Sequence, residues 1–219
     1  MSSALKGVVT VVVSLAVSLC AAAVISLATG ASLGVLLVIG TLFGVGYGLE
    51  AGILGSYDLS AGKGWLELLV DLTWSLPNTV FGFVIGNLIY MWFGGPSRAD
   101  SENRAWIVFK ARGSGTFGRK VLQTLGTVNL GGAGQHERMH LLQARIFGPL
   151  YLPLVGLSYG VTSLLQLLWT CTLGWVLRLT GVRQTAFLEP PARSAVHGFF
   201  GWIYYATPME LWAYASGNP

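Results

Sequence analysis

Two of the three histidines of this 219-residue chain lie four positions apart in the segment GQHERMHLLQ, residues 134–143. At that spacing His136 and His140 project from one face of a helix, and Glu137 directly follows the first of them. Two imidazoles so placed bind zinc, and the adjacent carboxylate acts as a general base toward water. The pattern predicts a zinc-dependent hydrolytic site, and the alternative is a polar helix whose His and Glu side chains cap or pair.

A catalytic zinc site takes three protein ligands and leaves one position for water. Glu210, in ATPMELWAYASG, follows Pro208, which favours the start of a helix. His197 and the more weakly placed Glu189 are the other downstream candidates. If residues 194–209 return through the membrane, Glu210 reaches the side of the two histidines. Glu210 is therefore the predicted third ligand, and an interfacial carboxylate is its alternative role.

Hydrolysis also needs a donor to the oxyanion that develops in the transition state. His197 or Tyr205 is assigned that role as a hypothesis, with an ordinary interfacial position as the alternative for either. The segment GTVNLG, residues 126–131, is interpreted as an edge strand whose unpaired backbone groups bind an extended substrate peptide. Plain sheet structure is the alternative for this segment.

The composition predicts an integral membrane protein, because 53% of the residues are hydrophobic and only 10% are charged, with mean hydropathy +0.62. Soluble domains carry roughly 25% charged residues. A transmembrane helix needs about 20 mostly apolar residues. The predicted spans are residues 7–29, 32–55, 65–93 and 151–177, with a shorter and more polar fifth segment at 194–213.

The predicted fold class is an α-helical integral membrane protein with four to five transmembrane helices and a small extramembrane β-hairpin or meander before the HExxH helix. Residues 1–95 form a three-helix transmembrane region, and residues 96–133 a β-rich loop outside the hydrocarbon. The HExxH helix occupies residues 134–150. Residues 151–219 contain a transmembrane helix and a short or re-entrant C-terminal helix that carries the third ligand.

Two stripes of residues predict how the spans pack. Small residues four positions apart let helix backbones approach closely in lipid, and this stripe consists of Gly40, Gly44, Gly48 and Gly52. A polar-to-small stripe in the third span consists of Glu67, Asp71, Ser75, Asn78, Gly82 and Gly86. Carboxylates in a span face the bundle interior or a water-filled cavity. Asp71 and Asn78 are therefore predicted to line a substrate cavity or to form interhelical hydrogen bonds.

Basic residues predict topology, since cytoplasmic loops are rich in Lys and Arg. Most of the 13 such residues lie in the stretch 96–150, which is placed in the cytoplasm. After three preceding spans, the N-terminus then lies outside. The expected location is a bacterial inner membrane with the HExxH site facing the cytoplasm. Membrane lipid is an expected partner, and nucleic acid is not, because no aromatic-interleaved basic patch is present.

The motifs HERMH at 136–140 and ELWA at 210–213 together resemble the gluzincin pattern, HExxH followed by ExxA. Integral-membrane zinc metallopeptidases of that class, the HtpX and Ste24-like peptidases, also place hydrophobic spans between the two motifs. HERMHLLQ followed by GPLYLP is also similar to uncharacterised bacterial HExxH membrane proteins. Two positions depart from the peptidase pattern: Tyr214 replaces an acidic residue after the alanine, and Met139 replaces a small residue.

This resemblance implies a membrane-embedded metallopeptidase that hydrolyses peptide bonds near the membrane surface, with a peptide or a membrane protein as substrate. The alternative is a non-catalytic scaffold or a subunit of a membrane complex, with a structural or vestigial metal site. A transporter is a third hypothesis, prompted by the polar stripe, but no inverted repeat supports it.

Overall fold

The computed structural model describes residues 1–111, 123–131, 134–180 and 199–216. Four helical segments in these ranges are long and apolar enough to cross a membrane. They are Ser3–Thr29, Leu33–Leu54, Leu76–Phe93 and Gln135–Cys171. The prediction of a mainly helical chain with at least four helices of membrane-spanning length is confirmed, and these helices are compatible with a membrane protein.

Helices α1 (Ser3–Thr29) and α2 (Leu33–Leu54) form a tight antiparallel hairpin, which begins to turn at Gly30, a residue in the left-handed conformation. The predicted glycine stripe faces α1 along its length. A Cβ atom at Gly48 would lie 2.8 Å from Cα of Val11, and one at Gly44 would lie 2.8 Å from Cα of Leu15. Because the backbones almost touch, the glycines serve packing within the chain, as predicted.

The predicted third span, 65–93, is not one continuous helix. Helix α3 (Gly62–Leu72) ends, and a new helix α4 (Leu76–Phe81) begins with Pro77 in its first turn. Proline has no amide proton, and its ring would clash with the carbonyl four residues earlier, at Thr73. From α4 the chain continues through one π-helical turn, Gly82–Gly86, into α5 (Asn87–Phe93). A proline inside a span predicts a kink, and the structure shows a complete break between Leu72 and Leu76.

The start of α1, the end of α2 and the segment after α5 lie at the same end of the α1–α2 hairpin. Arg98 donates to the Ser3 hydroxyl at 2.6 Å, and the amide of Asn103 donates to the Gly55 carbonyl at 2.9 Å. Residues 62–93 therefore leave this end and return to it. The expectation that the N-terminus and the basic loop lie on opposite sides is wrong. It treats residues 65–93 as a single crossing, whereas the break after α3 lets this segment return to the end at which it started.

A small mixed sheet follows α5. Its strands are β1 (Gly94–Pro96), β2 (Ile107–Ala111), β3 (Gln123–Leu125) and β4 (Val128–Leu130), and the short helix α6 (Arg98–Ser101) separates the first two. The order is β1-β2-β4-β3, with β2 and β4 parallel. The sheet contains the predicted hairpin, β3–β4, but is not a meander.

The segment 126–131 is not the edge strand that the sequence suggested. It contains β4, which pairs with β3 on one side and β2 on the other. Its backbone groups are therefore already used within the sheet. In the sheet of the described residues, β3 is the edge strand on this side.

The HExxH segment forms α7 (Gln135–Phe147), which passes through a 3₁₀ turn, Gly148–Leu150, into α8 (Tyr151–Cys171). Helix α9 (Leu173–Leu179) follows a break at Thr172. The C-terminal region contains α10 (Phe199–Ala206) and α11 (Pro208–Ser216). The loosely predicted fifth span is thus interrupted at Thr207 within the described residues, and residues 194–198 lie outside them.

The polar stripe of the third predicted span binds α7. Arg145 of α7 donates to both carboxylate oxygens of Asp71, at 2.8 and 2.7 Å, and lies 3.3 Å from Glu67. Asn78 donates to the carbonyls of Ala144, at 3.1 Å, and Gly148, at 2.7 Å. Of the two roles predicted for this stripe, the structure shows interhelical hydrogen bonding. These hydrogen bonds fix α7 against α3 and α4.

Candidate metal centre

Helices α7 and α11 bring His136, His140 and Glu210 together. Oε2 of Glu210 lies 3.2 Å from Nε2 of His136 and 3.4 Å from Nε2 of His140, and the two Nε2 atoms are 3.1 Å apart. All three side chains are buried. This His-His-Glu group could hold a metal ion.

The placement of Glu210 follows from the local sequence. Pro208 starts α11, which puts Glu210 in its first turn, and α11 packs against α7. Burial alone would raise the pKa of the Glu210 carboxyl, and the two adjacent imidazoles instead lower that pKa to about 2. Glu210 is therefore an anionic ligand at neutral pH.

Gln143 fixes the orientation of His140. Its amide nitrogen donates to the carbonyl of Met209 at 2.9 Å, and its Oε1 lies 3.0 Å from Nδ1 of His140. Because Oε1 can only accept, Nδ1 of His140 carries a proton and donates it to Gln143, which leaves Nε2 facing His136 and Glu210. The same side-chain amide therefore joins α7 to Met209, the residue before Glu210.

Glu137 is buried beside the ligands and is held by the sheet. Its Oε2 accepts a 2.6 Å hydrogen bond from Thr124 of β3, and Asn129 of β4 donates to the same Thr124 hydroxyl at 3.0 Å. The Thr124 proton is thereby directed to the carboxylate. The sheet thus orients the carboxylate of Glu137 at the site.

His136 has a different environment from His140. Its Nδ1 atom is buried and has no hydrogen-bond partner within the described part of the chain. The ring of Tyr214 lies against the His136 ring, with centroids 4.3 Å apart. Tyr214 is the position at which the gluzincin pattern has an acidic residue, so an aromatic contact occupies the place of a carboxylate.

A cavity of about 430 Å³ adjoins the group. Its polar wall includes Glu137, His140, Glu210, Thr124, Tyr159 and Tyr204. Its apolar wall includes Phe81, Leu125, Leu152 and Val155. Tyr159 donates to Oε1 of Glu210 at 3.2 Å. A phenol with the ordinary pKa of about 10 keeps its proton at neutral pH, so Tyr204 in the cavity wall is protonated there.

Two further residues were assigned roles from the sequence. His197, the alternative ligand and oxyanion donor, lies outside the described residues. Tyr205 stacks on Tyr214, with centroids 5.2 Å apart. Tyr159 and Tyr204, which line the cavity, were missed, because nothing in an apolar span distinguishes a tyrosine that faces a site from one that faces lipid.

Comparison of the chain with protein-family models, curated proteins and solved structures gives no match. The chemistry of the site therefore rests on its own geometry.

Proposed function

We propose that His136, His140 and Glu210 bind Zn²⁺. Two imidazoles and one carboxylate are a common donor set of catalytic zinc sites. Bonds of about 2.0–2.1 Å in a tetrahedral arrangement separate neighbouring ligand atoms by about 3.4 Å. The three observed separations, 3.1, 3.2 and 3.4 Å, are close to that value. Oε2 of Glu210 has no hydrogen-bond partner of acceptable geometry within the described residues, which also favours a cation at this point.

We propose further that the chain is a membrane-embedded zinc-dependent metallopeptidase that hydrolyses peptide bonds at or near the membrane surface. The observation that carries this proposal is the buried carboxylate of Glu137, which lines the same cavity as His140 and Glu210. A closed structural site would use four protein ligands and need no such cavity. Three ligands beside an open cavity leave space for water and a substrate.

Zinc at such a site polarises a carbonyl group and lowers the pKa of water. Glu137 takes the proton of the attacking water and returns it to the departing amine. Thr124 holds the Glu137 carboxylate in place through its 2.6 Å hydrogen bond. Tyr204, protonated at neutral pH, is placed in the cavity wall to donate to the oxyanion.

The substrate in this proposal is an extended peptide segment, free or part of a membrane protein. Strand β3 contributes Thr124 and Leu125 to the cavity wall and is the edge strand beside Glu137. Edge strands pair with extended peptides through backbone hydrogen bonds. The apolar wall, built partly from α4 and α8, suits apolar side chains of the substrate.

The resemblance to gluzincin-type membrane peptidases agrees with this proposal. The location that we propose is a bacterial inner membrane, with the site facing the cytoplasm. The second candidate is a scaffold or complex subunit with a structural or vestigial metal site. Nδ1 of His136 has no hydrogen-bond partner among the described residues, which favours this candidate, because active zinc sites hold each ligand histidine through its other nitrogen.

The test uses the full chain purified in mild detergent without chelator. Plasma mass spectrometry measures bound metal, and a fluorescent casein reports hydrolysis. We expect about one zinc ion per chain. Glu137→Gln should keep the zinc and abolish hydrolysis, whereas His140→Ala and Glu210→Ala should lose both. Glu102→Gln, which changes an exposed acid outside the cavity, is the matched control.

Three outcomes separate the candidates. Zinc with hydrolysis that Glu137→Gln abolishes supports the peptidase. Zinc without any hydrolysis, in wild type and variants alike, favours the scaffold. Zinc together with undiminished hydrolysis in Glu137→Gln contradicts the proposed general base.

A further inference from the structure

A second crevice, of about 350 Å³, lies along α3 and α7. It is lined by Arg138, Leu141, Leu142 and Arg145 of α7, and Lys63 and Glu67 of α3 are among the residues opposite them. The metal ligands do not line this crevice. It is therefore a separate feature that shares one helix with the metal centre.

The crevice has an excess of positive charge. Its two acidic residues are already paired: Asp58 lies 2.6 Å from Lys6, and Glu67 lies 3.3 Å from Arg145 and 3.8 Å from Lys63. The remaining cations are Arg104 and Arg138, and neither forms an ion pair within the described residues. Both are exposed. Two guanidinium groups at the rim of one crevice therefore lack an anionic partner from the described chain.

Arg138 is held at this rim by an aromatic contact. Its Cζ atom lies 5.8 Å from the centroid of the buried Trp106 ring, a cation–π distance. Such a contact orients the guanidinium without using its N–H donors. Those donors remain available to the oxygen atoms of an anion, with which guanidinium forms paired hydrogen bonds.

Below the basic rim, the exposed faces of both helices turn apolar. Along α7, Arg138 is followed at four-residue spacing by the exposed Leu142 and Ile146. Along α3, Lys63 is followed at three-residue spacing by the exposed Leu66 and Leu69. Arg145 connects the two helices through Glu67 and Asp71, and Leu142 is part of the crevice lining itself.

We infer that this crevice binds an anionic phospholipid, with its phosphate at Arg104 and Arg138 and its acyl chains along the apolar faces of α3 and α7. A free anion would account for the basic rim but not for the apolar faces that continue from it. A zwitterionic lipid would fit the apolar faces but would leave the excess positive charge of the rim without a neutralising partner. The site lies outside the proposed hydrolytic cavity, and the inference does not depend on the proposed function.

The experiment is native mass spectrometry of the full chain released from detergent after titration with phosphatidylglycerol, or with phosphatidylcholine of the same acyl chains. The test variant is Arg104→Gln/Arg138→Gln. The matched control, Arg98→Gln/Lys110→Gln, removes the same number of charges from exposed residues that do not line this crevice. Elution volume and circular dichroism, measured in parallel, show whether each variant is folded.

Wild type should retain phosphatidylglycerol in preference to phosphatidylcholine. Each basic residue lost should weaken phosphatidylglycerol binding about fivefold, so that the test variant, which loses two, binds about 25-fold more weakly. The control should bind like wild type. Phosphatidylcholine retention should be equal in all three proteins.

Two results would overturn the inference. Equal weakening in the test and control variants would mean that only net charge matters. Displacement of phosphatidylglycerol by an equal concentration of inorganic phosphate would identify an ion site without a lipid component.

Discussion

The molecule joins its helices in two different ways. Between α1 and α2, glycines bring the backbones into direct contact, as at Gly52, where a Cβ atom would lie 2.9 Å from the carbonyl oxygen of Gly7. Between α3–α4 and α7, Asp71 and Asn78 instead make hydrogen bonds to a guanidinium and to backbone carbonyls. One interface depends on shape and the other on directed polar contacts.

The difference between the two interfaces shows which part of the chain depends on exact side-chain geometry. Lipid tails are as apolar as the helix surfaces, so close packing stabilises a hairpin but tolerates small adjustments. A buried network of charges and amides is satisfied in one arrangement only, and leaving one member unpaired is costly. The polar interface holds α7, the helix that carries His136 and His140. The interface between α1 and α2 lies away from that helix.

The largest expected effect is at Asp71. Asp71→Asn leaves the Arg145 guanidinium buried without its carboxylate, and breaking a buried ion pair costs about 3–5 kcal/mol. The free energy of unfolding in mixed micelles measures this cost. Glu67→Gln removes the partly exposed acid from the same guanidinium and should cost under about 1 kcal/mol. Equal costs would mean that the polar interface does not depend on the buried pair.

A smaller effect is expected in the glycine interface. Gly48→Ala places a methyl group 2.8 Å from Cα of Val11, and such overpacking costs about 1–3 kcal/mol. Gly34→Ala is the control in the same helix, because no atom lies within 4 Å of its new methyl group. If both variants unfold alike, backbone contact does not hold the hairpin.

The polar contacts extend to the metal centre at Gln143. Gln143→Leu should weaken zinc binding about 10- to 100-fold, because His140 loses the acceptor that fixes its proton on Nδ1. Competition with a chelator of known affinity measures the change. Gln135→Leu, an exposed position in the first turn of the same helix, should leave zinc affinity unaltered.

The smallest effect should have the opposite sign. Tyr214→Asp offers a carboxylate on the side of His136 where Tyr214 now packs, and we expect zinc binding to tighten by up to about tenfold. Tyr214→Leu removes the ring without supplying an acceptor and is the comparison. Tightening in both variants would show that the tyrosine ring obstructs the site, and that the missing acceptor is unimportant.

Features that depend on local spacing were predictable from the sequence. The HExxH helix and the glycine face follow from periods of three to four residues, and the apolar helices follow from apolar runs of about 20 residues. Pro208 placed Glu210 at the start of a helix, and the structure brings Glu210 to the histidines. These predictions needed no knowledge of distant partners.

Features that depend on distant partners were not predictable. Arg145 and Asp71 are 74 positions apart, and no periodicity links them. The return of residues 62–93 to the starting end depended on whether Pro77 bends a helix or ends it. β4 lies inside the sheet because it pairs with β2 as well as with β3. Strand propensity alone does not tell an inner strand from an edge strand, so the sequence could not place β4.

The contacts of Gln143 also bear on chain connectivity. Its side-chain amide bonds to Met209, 66 positions away, and so joins α7 to α11. The three candidate ligands belong to the same two helices. An ion held by α7 and α11 therefore closes a long loop, as a disulfide would, and reduces the entropy of the unfolded chain. If the proposed ion is bound, its binding and the docking of the C-terminal helix are coupled, and a chelator that removed the ion would also loosen the end of the chain.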